Sequence, residues 1–206
     1  MTTFTDDFNR ADGDPGANYT SLTGTWAIVS NALQAQFGGD NFILRNDTLA
    51  DDQECYATIA TTGTDNYTSV GVRISGASFA ALNGYIFSTD PYTGGGSSLI
   101  QKAVAGSFDT LKAVSTAFAS GDEIGIRVVT SGADAVITVY KDGAQVDTYT
   151  DVAANTPHTS GKASMGNYRV GGAVPVFDDL SGGDVSGGFI NFCPSHSEDM
   201  TDSGDM

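Results

Sequence analysis

The chain reads as an all-β protein: antiparallel strands joined by turns, then a short C-terminal extension. Three observations predict this. Glycine is high at 26 residues, with Thr, Ser, Asp and Asn plentiful between the apolar runs. Among 25 acidic residues only Glu54, Glu123 and Glu198 are glutamate, and Asp favours turns over helices. Short runs alternate apolar and polar residues with period two, which places one face of a strand in a core.

Taken in order, Phe4 to Leu33 reads as a short strand ending at Phe8, an Asp/Gly/Pro/Asn loop, and a strand through Trp26 and Ile28 to a turn at Asn31. Trp26 is the only tryptophan. It is expected to anchor the core, since a large aromatic entering on a strand can fill one face of a sheet. Ala27 to Gln36 alternates around Ile28, Leu33 and Ala35, and Phe42 to Arg45 is a short apolar run ended by Asn46-Asp47. Glu54 to Ile59 and Ser69 to Ile74 alternate cleanly, the latter with Val70, Val72 and Ile74 on one face. Gly84 to Phe87, an open loop over Asp90 to Ser98, and Leu99 to Val104 follow. Thr110 to Ala119 carries Leu111, Val114 and Phe118 at helical spacing. Its Val and Thr content and strand-like neighbours predict strands instead. In Glu123 to Thr150, Ile124, Ile126 and Val128 alternate, and Ala135 to Tyr140 is a β-branched run. Asp142-Gly143 is a hairpin signal, because that pair accepts positive φ. Gly161 to Tyr168 and Val174 to Leu180 supply the last strands of a domain spanning 1–184. Residues 185–206 form a Gly linker, an apolar patch and an acidic tail.

Charge narrows the partners. The formal net charge is −16, and the nine basic residues are scattered. Phosphate backbones and anionic lipid surfaces both need a basic patch, so neither nucleic acid nor membrane is an expected partner. No charged segment leading into an apolar run opens the sequence, so no signal peptide is expected. The sequons at Asn18, Asn46 and Asn66 are accordingly read as chance. Cys55 and Cys193 are expected to be free thiols rather than a pair.

The segments Asp7-Phe8-Asn9-Arg10-Ala11-Asp12-Gly13, Gly24-Thr25-Trp26, Asn31-Ala32-Leu33 and Phe177-Asp178-Asp179-Leu180-Ser181 resemble the opening and close of concanavalin A-like lectin/glucanase (laminin G-like) domains of phage and bacterial proteins. The resemblance covers about residues 4 to 184. It implies an antiparallel jelly-roll sandwich of two sheets, with the terminal strands side by side and Asp6/Asp7 near Asp178/Asp179. It also implies that a catalytic member would carry a strand motif like Glu-x-Asp-x-Glu. This chain has none, and the expectation is that it is not an enzyme.

Other candidates follow from chemistry. Asp52 and Glu54, two apart, would share a strand face, while Asp122 and Glu123 would face oppositely. Exposed turn acids are the simpler reading of both pairs, and paired carboxyls would have to flank one sugar bond. No cofactor is expected beyond one candidate, a calcium ion held by Asp6 and Asp178. His158 and His196, with Cys193, do not make a zinc set. Asn83, Tyr85, Tyr92 and the Gly94-Gly95-Gly96 loop are the glycan-binding candidates. Phe189, Ile190 and Phe192 are a candidate partner-docking patch beyond the linker. The leading expectation is a structural or decoration protein on the surface of a virion, assembling with other virion proteins or itself. The alternative is a glycan-binding adhesin or lectin-like module, virion-borne or extracellular, meeting cell-surface glycans.

Overall fold

A computed structural model describes residues 1–62, 66–89, 97–169 and 175–185. Fifteen strands follow in order: β1 (Thr3–Asp6), β2 (Tyr19–Thr23), β3 (Trp26–Val29), β4 (Ala32–Ala35), β5 (Gly39–Arg45), β6 (Gln53–Thr61), β7 (Asn66–Ser75) and β8 (Asn83–Thr89). The rest are β9 (Ser98–Val104), β10 (Ser107–Val114), β11 (Glu123–Ser131), β12 (Asp134–Lys141), β13 (Ala144–Asp151), β14 (Lys162–Arg169) and β15 (Val176–Asp184).

They form two antiparallel sheets. The eight-stranded sheet runs β13-β12-β11-β6-β15-β4-β3, with β1 also paired to β15. The seven-stranded sheet runs β10-β9-β8-β7-β14-β5-β2. Alternation explains the layers, since successive side chains point to opposite faces. Ile124, Ile126, Val128, Ile137, Val139, Cys55, Ala57 and Ile59 from the larger sheet meet Val70, Val72, Tyr85, Phe87, Ile100 and Met165 from the smaller one in one core.

The opening and close of the chain meet as expected. Thr3 to Asp6 pair with Gly183 to Leu180. Trp26 is buried, and its ring centroid lies 6.4 Å from that of Phe177. The hairpin at Asp142-Gly143 has positive φ at both residues (50° and 74°), which supplies the strand-matching turn expected there. The 107–114 segment is a strand, not a helix.

Two local readings differ. The first strand stops at Asp6, because Phe8 turns to φ 50° and leaves the sheet. Tyr19–Thr23, placed in a loop by its polar surroundings, is an edge strand because β5 pairs with it. Burial pushes the Cys55 thiol up to about 12, the value of an inert core residue. Cys193, the other cysteine, lies outside the described residues, as do Tyr92, the Gly94-Gly95-Gly96 loop and the Phe189/Ile190/Phe192 patch.

Candidate functional site: a groove on the outer face of the seven-stranded sheet

In β5 the residues Ile43, Asn41 and Arg45 take one face, so Asp40, Phe42 and Leu44 take the other. Phe42 and Leu44 do not enter the main core. They form a second apolar cluster with Ile74, Leu82, Ile86 and Ala103, packed by Leu22, Phe79 and Phe108. The outer face of the smaller sheet therefore carries its own aromatic layer.

The floor beneath it is small. Ser164 stands opposite Gly71, and Gly166 opposite Ser69; Gly71 and Ser69 stand opposite Ile86 and Ser88. Gly166 is required: a Cβ there would meet the Phe42 ring at 2.7 Å and Ser69 Oγ at 2.8 Å. Ser69 Oγ and Ser164 Oγ are buried without a hydrogen-bond partner.

Three phenylalanines build the wall. Phe42 lies 5.8 Å from Phe79 and 5.9 Å from Phe108, and Phe79 lies 5.6 Å from Phe108, centroid to centroid. Phe79 comes from a single 3-10 turn, Phe79–Ala81, and Phe108 from β10. Asn83 ties these two segments together. Its Nδ2 donates to Ala81 O (2.9 Å), and its Oδ1 accepts from Ala105 N (3.0 Å) in the β9–β10 turn. Gly106 N donates to Leu82 O across the same seam.

The wall, Asp40, Tyr67, Ser88 and Gln101 line a groove of about 270 Å³. That volume is just under the roughly 300–1,000 Å³ of small-molecule sites. Ser88 Oγ donates to Gln101 Oε1 (3.0 Å), which fixes the amide with its NH2 available. Burial pushes the Asp40 carboxyl above its ordinary value. The arrangement offers apolar ring faces, hydroxyl and amide donors, and one carboxylate acceptor.

A wider cleft of about 490 Å³ lies elsewhere, along Lys102 and the 155–160 loop. Its ammonium is already committed: Lys102 Nζ donates to Asp151 Oδ2 (2.8 Å), Asn155 O (2.7 Å) and Thr156 O (3.1 Å). This cleft is a loop anchorage.

Among the described residues, the candidates singled out from the sequence (Asn83, Tyr85, Asp6 and Asp178) fall outside the groove lining. Tyr85 is fully buried in the sandwich, donating its hydroxyl to Asp151 Oδ2 (2.6 Å) and accepting from His158 N (3.0 Å). It cannot meet a glycan. Asn83 positions the aromatic wall instead of lining the groove. Asp6 is not a calcium ligand in this arrangement, because its oxygens are spent: Arg10 donates at 2.6 and 3.2 Å, Tyr19 Oη at 2.7 Å and Phe8 N at 2.9 Å. Asp178 accepts from Asp179 N, and burial and its acidic neighbours Asp179 and Asp7 raise its carboxyl. No group of three or more His, Cys, Asp or Glu side chains suited to a metal ion occurs among the described residues. Asp52 is no free turn acid: its Oδ1 accepts from Thr130 N and Arg73. Glu54 is buried beside Tyr56.

The groove residues were missed, but one signal marked them. Phe42-Ile43-Leu44 and Tyr85-Ile86-Phe87 are apolar at consecutive positions. A strand with one wet face alternates; a strand apolar on both faces has something lying on each.

No family model matches the chain, and no curated protein sequence matches it. Solved structures do match by shape. A carbohydrate binding module, CBM66, from Bacillus subtilis superposes with a TM-score of 0.61 and 19% identity, covering 84% of this chain and 99% of its own. The likeness shows the fold, a concanavalin A-like jelly-roll sandwich. The apo Crh5 transglycosylase matches with a TM-score of 0.62 and 14% identity, over 90% of this chain and 85% of that one. A prokaryotic β-1,3-1,4-glucanase (lichenase) derived from a mouse hindgut metagenome matches with 0.61 and 8%, over 90% and 100%. These two overturn the expectation that the chain is not an enzyme. The concanavalin A-like frame that it shares carries enzymes as well as binding modules, so a missing Glu-x-Asp-x-Glu motif does not exclude catalysis.

Proposed function

We propose that the chain binds carbohydrate through the groove on the outer face of the seven-stranded sheet. The observation that carries this reading is the lining itself: Phe79 and Phe108 present half-buried rings beside Ser88, Gln101 and Asp40 in one concavity. Sugars offer apolar ring faces and a fringe of hydroxyls, and such a lining answers both. The fold neighbours, a carbohydrate binding module among them, favour this alternative over a virion structural role.

A glycan array followed by calorimetric titration of the hits tests it. Gln101→Ala and Phe108→Ala should each weaken a hit about tenfold, close to the ~1.4 kcal/mol of one good polar or ring contact. Hits that survive both substitutions unchanged would move the site elsewhere, and an array without hits would end the reading.

A further inference from the structure

Accepting the carbohydrate reading, the charge of the lining narrows the ligand. The groove has one carboxylate, Asp40, and no basic side chain among its lining residues. Asp40 is half-buried, and among the described residues burial alone acts on its carboxyl, with no cation and no hydrogen-bond donor at its oxygens. Three other acids withdrawn from water do have such partners. Asp6 holds Arg10 and Tyr19, Asp151 holds Lys102 and Tyr85, and Asp52 holds Arg73 and the Thr130 N–H. A carboxylate withdrawn from water without a partner costs free energy, and the folded protein keeps this one at the edge of a groove. Burial accordingly raises its proton affinity.

The walls point the same way. The π faces of Phe and Tyr attract a cation placed within about 6 Å of the ring. Phe79 and Phe108 are half-buried, and Tyr67 lines the same groove. An unpartnered carboxylate lining the same groove as aromatic rings is the chemistry that recognises an ammonium group.

We propose that the groove takes an amino sugar carrying a free ammonium, a glucosamine-type unit, in preference to a neutral or N-acetylated one. The ammonium meets Asp40, the ring lies against Phe79 and Phe108, and Gln101 and Ser88 take hydroxyls.

The test is calorimetric titration of the intact chain at about pH 6, below the range of an amino group and above that of an ordinary carboxylate. The probes are β-1,4-linked glucosamine hexamer, its fully N-acetylated counterpart and cellohexaose, which share one linkage. Because the chain is strongly acidic, a polycation is attracted everywhere. Asp51→Asn, at an exposed acid outside the groove, is the charge-matched control for Asp40→Asn. The glucosamine hexamer should bind at least tenfold tighter than the other two. Asp40→Asn should remove that preference, and Asp51→Asn should keep it. Asp40→Asn should melt at or above the parent temperature, which separates lost binding from lost folding. Equal or tighter binding of either neutral hexamer, or equal losses in the two variants, overturns the ammonium preference and leaves the carbohydrate reading standing. So does a glucosamine hexamer that fails to bind while another glycan on the array succeeds. If no hexamer and no arrayed glycan binds, the carbohydrate reading itself falls.

Discussion

Asp6 and Asp40 show how position decides what a carboxylate does. Burial alone would raise Asp6, but hydrogen bonds from Arg10, Tyr19 and the Phe8 N–H outweigh it and hold its pKa below the ordinary value. A lowered folded-state pKa means stability present above the usual carboxylate range and lost as pH falls through the folded pKa. Asp40 has the opposite sign. Burial raises it, so its favourable contribution is present below the ordinary Asp range and is lost as pH rises through the raised value. Asp6→Asn should therefore destabilise at neutral pH, by about 2 kcal/mol for the loss of charge-assisted hydrogen bonds. The loss should shrink towards the acid limit. Denaturant melts of parent and variant at a series of pH values check this, and a pH-independent difference would contradict it. Arg73 illustrates the same rule for a cation. It is almost fully buried, yet it donates to Asp51 O (2.6 Å), His158 O (2.6 Å) and Thr130 Oγ1 (2.7 Å). Its partners are mostly neutral oxygens, and burial lowers its pKa.

Between elements, the groove depends on segments that only folding brings together. Phe42, Phe79 and Phe108 belong to β5, a 3-10 turn and β10, and nothing in the spacing of those residues announces a shared wall. The strands themselves were legible, because Ser69 to Ile74 and Glu123 to Val128 alternate and Asp142-Gly143 names its own turn. Tyr19–Thr23 was not, since an edge strand in polar surroundings is made by its neighbour. Tyr85 is no glycan contact for a related reason: it sits on the inward parity of β8, while Ser88 sits on the outward one. Asn83 is the joint between the turn and the β9–β10 hairpin. Asn83→Ala should free the 79–81 turn and weaken glycan binding several-fold with little loss of global stability. Amide hydrogen exchange should show the change confined to residues 79–83 and 105–108, and a protected turn in the variant would refute the joint.

At the scale of the molecule, the two sheets differ in what lies on their backs. The larger sheet runs from β13 to β3 with the paired first and last strands inside that span, while the smaller carries an aromatic layer above a floor of Gly and Ser. Fold and function separate here. The frame, legible from the resemblance of both ends of the sequence, is shared by a binding module and by enzymes, so the fold alone does not name a chemistry.

The pairing of β1 with β15 also sets a clock. Phe4 and Gly182 are partners across 178 positions (182 − 4) of chain, so this edge of the larger sheet cannot be assembled until its most distant segment arrives. Contacts so remote in sequence carry a large closure entropy and slow folding towards milliseconds to seconds. Trp26 stands beside Phe177 and has no other indole to mask it. Its fluorescence should change in the slow refolding phase, and Phe177→Leu should shift that phase's amplitude; a tryptophan signal complete before the slow phase would show that β15 docks early. The molecule thus contains, in one side chain, an optical record of the moment its two ends meet.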